Sequence, residues 1–183
     1  FYPHPRMVLD QSNDIKMLTT MEEKTQLLEK FGLDDLIIEP FTKEFSRLSA
    51  LDFVRDILVR QLHIKQLVIG YDHHFGKNRE GNFEQLIEFG ELYGFNVEKI
   101  SAQEIESVSV SSTKIRKAIE NGDMSTANKY LGYYYLLTGD IIKGQGIGRK
   151  INFPTVNLSI AEDFKLIPKK GVYIVRTHFN EES

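Results

Sequence analysis

Cysteine is absent from the 183 residues. That excludes disulfides, thiolate zinc sites, iron–sulfur clusters and thiol nucleophiles, and it makes the cytoplasm the expected compartment. Surplus positive charge is missing too, since 23 Lys and Arg stand against 26 Asp and Glu for a net charge of −3. No global field neutralises a phosphate backbone, which argues against a nucleic-acid partner and leaves room only for a local basic pocket for a small phosphate ligand. Long apolar runs are lacking as well. Stretches such as Gln66-Leu67-Val68-Ile69-Gly70 fall far short of the roughly 18–20 residues of a membrane span. The chain opens on Phe1-Tyr2-Pro3-His4-Pro5, with neither an initiator methionine nor a basic-then-apolar leader, and is expected to start in mid-fold. What is present, 41% apolar and 27% charged residues, is the composition of a folded, soluble chain.

Helical and β-rich stretches alternate, the pattern of an α/β sheet built from crossover units. Overlapping capping-box patterns at Thr19, Thr20, Glu22 and Glu23 open a helix over about 21–31, closed by Gly32. Leu36-Ile37-Ile38 reads as a buried strand. Ser49 and Asp52 open a second helix with Leu51, Phe53, Val54, Ile57, Leu58 and Leu62 on its apolar side. A strand over 66–71 leads into a polar loop over 72–81, at the strand end where ligands gather in open α/β sheets. Asn82 caps a third helix that ends at Gly94, and residues 95–100 alternate like a strand. A fourth helix starts near Ser111 or Ser112, and a fifth runs from Asp123 to Gly132. From Tyr133 onward the texture changes to β-branched and aromatic runs (133–137, 139–142 and 171–179) separated by Gly- and Pro-containing loops, which predicts a β-rich second domain.

Three constellations could carry chemistry. The first is Ser111-Ser112-Thr113-Lys114-Ile115-Arg116-Lys117. Hydroxyls at a helix start cap it in any case. Cations in the first turns are another matter, because the helix dipole disfavours each by about 0.3–1 kcal/mol. A phosphate there would take backbone N–H groups, the hydroxyls and the Arg116 fork together. The second is the loop after Gly70. Asp72 offers a fixed acceptor to a nucleoside or substrate group, Phe75 a flat apolar surface, and Lys77 or Arg79 a cation for phosphate. His73 and His74 suggest a metal, yet neighbours in an extended segment point to opposite sides and cannot easily share one ion. The third is Gly144-Gln145-Gly146-Ile147-Gly148-Arg149 followed by Pro154-Thr155-Val156-Asn157. The glycines match neither the Walker nor the dinucleotide spacing, and they read either as a hairpin loop or as a flap closing over a nucleotide phosphate. Thr155 and Asn157, two apart on one side of an extended strand, are hard oxygen donors suited to Mg2+. Pro3-His4-Pro5 locks two φ angles and holds His4 extended, as a rigid strand exit or as part of a site.

In this order the motifs resemble the bacterial bifunctional riboflavin kinase/FAD synthetase family over essentially the whole chain. The resemblance is carried by Phe1-Tyr2-Pro3-His4-Pro5, Leu18-Thr19 with Glu23-Lys24, Gly70-Tyr71-Asp72 with Phe75-Gly76, and Arg79-Glu80-Gly81. It continues through Ser111 to Arg116, Gly144 with Gly148-Arg149, Phe153 to Asn157, and Gly171-Val172-Tyr173. It implies a Rossmann-like nucleotidyltransferase domain with a parallel sheet over residues 1–125. Over 126–183 it implies the start of a β-barrel riboflavin kinase domain. The implied chemistry is ATP-dependent phosphorylation of riboflavin to FMN and adenylylation of FMN to FAD, with Mg2+ as cofactor. The resemblance assigns Gly70, Asp72, Ser111, Ser112, Thr113 and the catalytic Arg116 to ATP in the adenylyltransferase, and Pro3, His4, Phe75 and Arg79 to the flavin. Gly144, Gly146, Gly148, Arg149, Pro154 and Thr155 go to the kinase's ATP, and Thr155 and Asn157 to the metal. A first strand and an HxGH-type loop are expected upstream of Phe1, and a catalytic carboxylate downstream of Ser183, so these residues by themselves are expected to be incomplete. His73 replaces the family's common Phe, Asn152 its Gly, and Val156 its Ala. Two other readings are an adenylyltransferase for a different phosphate ester, which leaves Thr155 and Asn157 without a role, and a noncatalytic module on a degenerate nucleotide-binding fold.

Overall fold

The structure, a computed structural model, describes residues 1–10, 15–70, 72–101, 104–105, 108–146, 148, 152–153 and 155–179. They form two compact units that do not follow chain order. The first holds Phe1–Ile15 and Leu33–Val110, and the second holds Lys16–Gly32 and Ser111–Ser183.

In the first unit a short helix α1 (Pro5–Leu9) comes first, with Pro5 in its first turn and His4 as its cap. The central helix α3 starts at Ala50, where the Ser49 hydroxyl accepts from Asp52 N at 3.0 Å. It continues over Phe53–Gln61 with wider, π-type turns, Leu62 N donating to Ile57 O at 2.9 Å. The buried side chains Ala50, Val54 and Leu58 recur every fourth residue, whereas Leu51 and Leu62, expected on the same face, are exposed. Strand β1 (Gln66–Gly70) pairs in parallel with β2 (Asn96–Ile100), from Gln66 opposite Asn96 to Gly70 opposite Ile100. The crossover helix α4 (Phe83–Tyr93) links them, and Asn82 and Gln85 close its capping box. Ala50, Val54, Leu58, Ile69, Phe75, Leu86 and Phe95 make the core of this β–α–β layer. A short antiparallel pair follows, β3 (Glu104–Ile105) with β4 (Val108–Ser109).

One strand expectation fails here. Leu36-Ile37-Ile38 forms no ladder and its side chains are exposed. The one bridge beside it joins Tyr2 to Pro40, through Tyr2 N to Glu39 O and Phe41 N to Tyr2 O, each 3.1 Å. An apolar β-branched run becomes a strand only where neighbouring N–H and C=O groups meet it along its length.

In the second unit α2 (Met21–Lys30) carries the predicted capping box, with Glu23 N donating to the Thr20 hydroxyl and Thr20 N to the Glu23 carboxylate. Helices α5 (Ser112–Asn121) and α6 (Met124–Leu131) pack together, burying Ile115, Ala118, Ile119 and Ala127. Asp123 caps α6 by accepting from Thr126 N at 3.0 Å. Strands β5 (Asp140–Ile142) and β6 (Asn157–Ser159) pair antiparallel. Paired structure is sparser than the composition of 133–179 predicts. Neither residues 133–137 nor 171–179 form a strand among the described residues, and Val172 and Ile174 lie fully in solvent.

Candidate functional site

Helix α5 begins where the phosphate argument places a ligand. Ser111 is extended (φ −146°, ψ 153°) and its hydroxyl accepts from Lys114 N at 3.4 Å. The first turn carries no acidic residue, and Lys114, Arg116 and Lys117 lie toward the positive end of the helix dipole. Buried Ile115 anchors the turn to the unit's core while Ser111, Ser112 and Thr113 stay exposed. Arg116 is half-buried, and its Nε donates to Lys16 O at 2.8 Å.

The Lys16 carbonyl is itself held in place. Met17 bridges Lys165 in parallel, through Met17 N to Phe164 O (2.6 Å) and Leu166 N to Met17 O (2.9 Å), and Lys16 Nζ donates to Asp163 O. Behind this ladder Lys165 is buried. Its Nζ donates to Leu18 O at 2.7 Å and to Glu23 Oε2 at 2.5 Å, and lies 4.4 Å from the centre of the Tyr135 ring. The second Glu23 oxygen accepts from Thr138 N at 2.9 Å. Burial pulls the Lys165 ammonium below the usual lysine value despite Glu23. Burial, reinforced by the Glu23 charge, pushes the Tyr135 phenol up. Nothing in the sequence pattern pointed to this cluster, because its members are distant along the chain.

In the first unit Gly70 ends β1, and Asp72 stands exposed just beyond it. Phe75 is a core residue. It bridges Gly81 in both directions, and a Cβ at Gly81 would fall 2.6 Å from its ring. His73 stacks on Phe75 at 6.1 Å with the planes 15° apart, and burial together with the charge of His74 lowers its pKa. Arg79 is exposed on a tight turn with φ 59°. At the other end of the unit Pro3 is exposed, and His4 Nδ1 accepts from Arg6 N at 3.2 Å. A series of rings joins the two ends: Phe1 lies 6.4 Å from Phe53, and Phe53 lies 5.9 Å from Phe75. Phe41 and Phe45 flank Phe1 at 5.6 and 5.1 Å. Sequence reasoning missed this cluster, whose phenylalanines are scattered along the chain.

The third constellation is brought together. Between β5 and β6 the glycine segment folds back on the strand that follows. A Cβ at Gly144 would fall 2.1 Å from Asn157 Nδ2, and one at Gly148 would fall 2.1 Å from Phe153 O and 3.1 Å from Thr155 Cγ2. Gly146 has φ 67°, and Asn152, standing where a glycine was expected, takes φ 58°. Asparagine enters that region more readily than most residues. Arg149 and Pro154 lie outside the described residues. Thr155 and Asn157 are both exposed and offer a hydroxyl and an amide oxygen. Among the described residues no three His, Asp or Glu side chains gather for a metal. A hydroxyl and an amide oxygen are hard donors of the kind that suit magnesium.

The FAD synthetase family model matches residues 1–114, more than half of the chain. The chain belongs to the FAD synthetase family. Residues 131–183 of this family member match the riboflavin kinase model. A bifunctional riboflavin kinase/FMN adenylyltransferase of Listeria monocytogenes is 40% identical over the full chain and 58% of its own length. The protein of the same description from Escherichia coli is 33% identical over 96% of the chain and 55% of its own length. The chain thus spans little more than half the length of these relatives. A crystal structure from Streptococcus pneumoniae, described as a macrolide-efflux protein, superposes with a TM-score of 0.80 at 27% identity, covering 93% of this chain and 55% of that one. Among the described residues no helix is long and apolar enough to cross a membrane.

Proposed function

We propose that the protein makes FAD from riboflavin in two ATP-dependent steps. In the first, the ribityl 5′-hydroxyl of riboflavin attacks the γ-phosphorus of ATP, giving FMN and ADP. In the second, a phosphate oxygen of FMN attacks the α-phosphorus of a second ATP, giving FAD and pyrophosphate. Adenylyl transfer belongs to residues 1–125, a Rossmann-like domain, and phosphorylation to a barrel domain that begins at 126. The substrates are small molecules, ATP, riboflavin and FMN, handled in the cytoplasm without a nucleic-acid or membrane partner.

The observation that carries this reading, in a member of the FAD synthetase family, is the start of α5. Three cations and three exposed hydroxyls surround a helix N-terminus with no carboxylate in its first turn. Backbone N–H groups there, with Ser111, Ser112 and Thr113, hold the ATP phosphates, and Arg116 stabilises the charge that builds on them as the P–O bond breaks. Gly70 and Asp72 meet the nucleotide, Pro3, His4 and Arg79 meet the flavin, and Phe75 serves the flavin site from beneath. The buried setting of Phe75 makes it a support beneath His73 rather than an open platform.

In the kinase, Gly144, Gly146, Gly148 and Arg149 close over ATP beside Pro154 and Thr155. Thr155 and Asn157 hold magnesium, which when bound offsets phosphate charge. Neither reaction needs a covalent enzyme intermediate, so positioning and electrostatics carry both.

The test is Thr155→Ala in the intact protein. Magnesium-dependent FMN formation is lost while added FMN is still converted to FAD. Wild-type FMN formation by the variant would remove Thr155 from the site.

A further inference from the structure

The Arg116 side chain is oriented from behind by residues far from it in sequence. A guanidinium is a planar fork with five donors, so it can bond a carbonyl and a phosphate at once, and whatever fixes its plane fixes how it meets the phosphate. Here Nε is committed to Lys16 O at 2.8 Å. That carbonyl belongs to a three-residue segment gripped on several sides: Met17 pairs with Phe164 and Leu166, Lys16 Nζ with Asp163 O, and Leu18 O with Lys165 Nζ. Lys165 has no solvent exposure along its side chain, and Glu23, equally buried, accepts from it and from the backbone N–H groups of Thr20 and Thr138.

We propose that Lys165, acting with Glu23 through the Lys16–Leu18 segment, is a positioning residue for Arg116 in adenylyl transfer. The inference rests on the reading that Arg116 meets an ATP phosphate. It assigns to Lys165, in the kinase-matched part of the chain, a role in the other reaction. An apolar contact could fill the same space, but it would not fix the Leu18 carbonyl along a set direction, whereas the ammonium binds that carbonyl and Glu23 with directed bonds. A small displacement at a phosphate-binding side chain is felt strongly in transfer chemistry.

The test is a mutant cycle in the intact protein, read as the ATP KM of FAD formation from FMN. Lys165→Met alone would leave Glu23 buried without its partner, so both are exchanged together as Glu23→Leu/Lys165→Met, with thermal melting as the check on folding. Glu23→Gln, which keeps the shape and an acceptor oxygen, replaces the pair exchange if that protein does not fold. The expected result is a rise in ATP KM of about tenfold for the pair exchange. Adding Arg116→Ala to it is expected to give a KM within about twofold of Arg116→Ala alone, because both act on one interaction. A folded variant with wild-type ATP KM, or losses that multiply independently, would overturn the proposal while leaving the Arg116 assignment intact. An unchanged KM in Arg116→Ala by itself would overturn that assignment and the inference with it.

Discussion

Glu23 and Lys165, 142 residues apart, form an ion pair with neither side chain exposed, Nζ to Oε2 2.5 Å. The pair ties α2 to the segment around Phe164 within one compact unit. Removing one partner strands a charge in an apolar setting, and Lys165→Ala or Glu23→Ala is expected to cost about 3–5 kcal/mol. Exchanging both for apolar residues of similar size is expected to restore only part of that, because the Thr20 and Thr138 N–H groups and the Leu18 carbonyl lose their partners. Denaturant titration reads both, and a single exchange costing no more than a surface substitution would mean that water reaches the pair.

Arg116→Ala is expected to weaken ATP binding by at least about tenfold, the scale of a lost charge-assisted bond. Arg116→Lys should recover little of it. A lysine ammonium has no fork with which to hold the Lys16 carbonyl and a phosphate in fixed geometry. Calorimetric titration with ATP decides, and full affinity in the lysine variant would show that charge alone suffices.

The glycines between β5 and β6 separate packing from chemistry. A Cβ at Gly148 meets backbone oxygen at Phe153, which cannot rotate away, whereas a Cβ at Gly144 meets the Asn157 side chain, which can. Gly148→Ala is therefore expected to cost about 1–3 kcal/mol of stability as well as kinase activity. Gly144→Ala should leave the melting temperature nearly unchanged and still depress FMN formation by displacing Asn157. Equal melting temperatures for the two variants would contradict this.

His73 gives the stability a pH slope. Its pKa in the fold lies below the ordinary 6.5, through burial first and the charge of His74 second. The unfolded chain therefore takes the proton first as pH falls. Stability declines from about pH 6.5 down through the folded value, and the cost is fully present below both. In His73→Phe this contribution is gone, so the drop in melting temperature between about pH 7 and about pH 5 should shrink. An unchanged drop would place the slope elsewhere.

Local chemistry was legible in the sequence. Thr20 with Glu23, Asn82, Ser111 and Asp123 mark helix starts because a cap is made within four residues, and Gly94 and Gly132 mark ends for the same reason. The parallel pairing of β1 and β2 followed from the β–α–β rhythm. Leu36 to Ile38 and residues 171–179 misled because strand formation depends on a neighbouring backbone, which no run of apolar residues encodes. The π-type turns of α3 moved Leu62 out of a face drawn for α spacing. At the site, the cations of α5 and the Thr155–Asn157 pair were read from residue type. The Lys16 carbonyl behind Arg116 and the Glu23–Lys165 pair were not, since each depends on contacts 100 or more residues apart.

The most direct measurement supplies riboflavin and MgATP alone to the intact protein and separates the flavins by chromatography. The account predicts that FMN appears first and FAD accumulates at its expense, with pyrophosphate released in step with FAD. Riboflavin recovered unchanged, with no flavin bound to the protein, would contradict it.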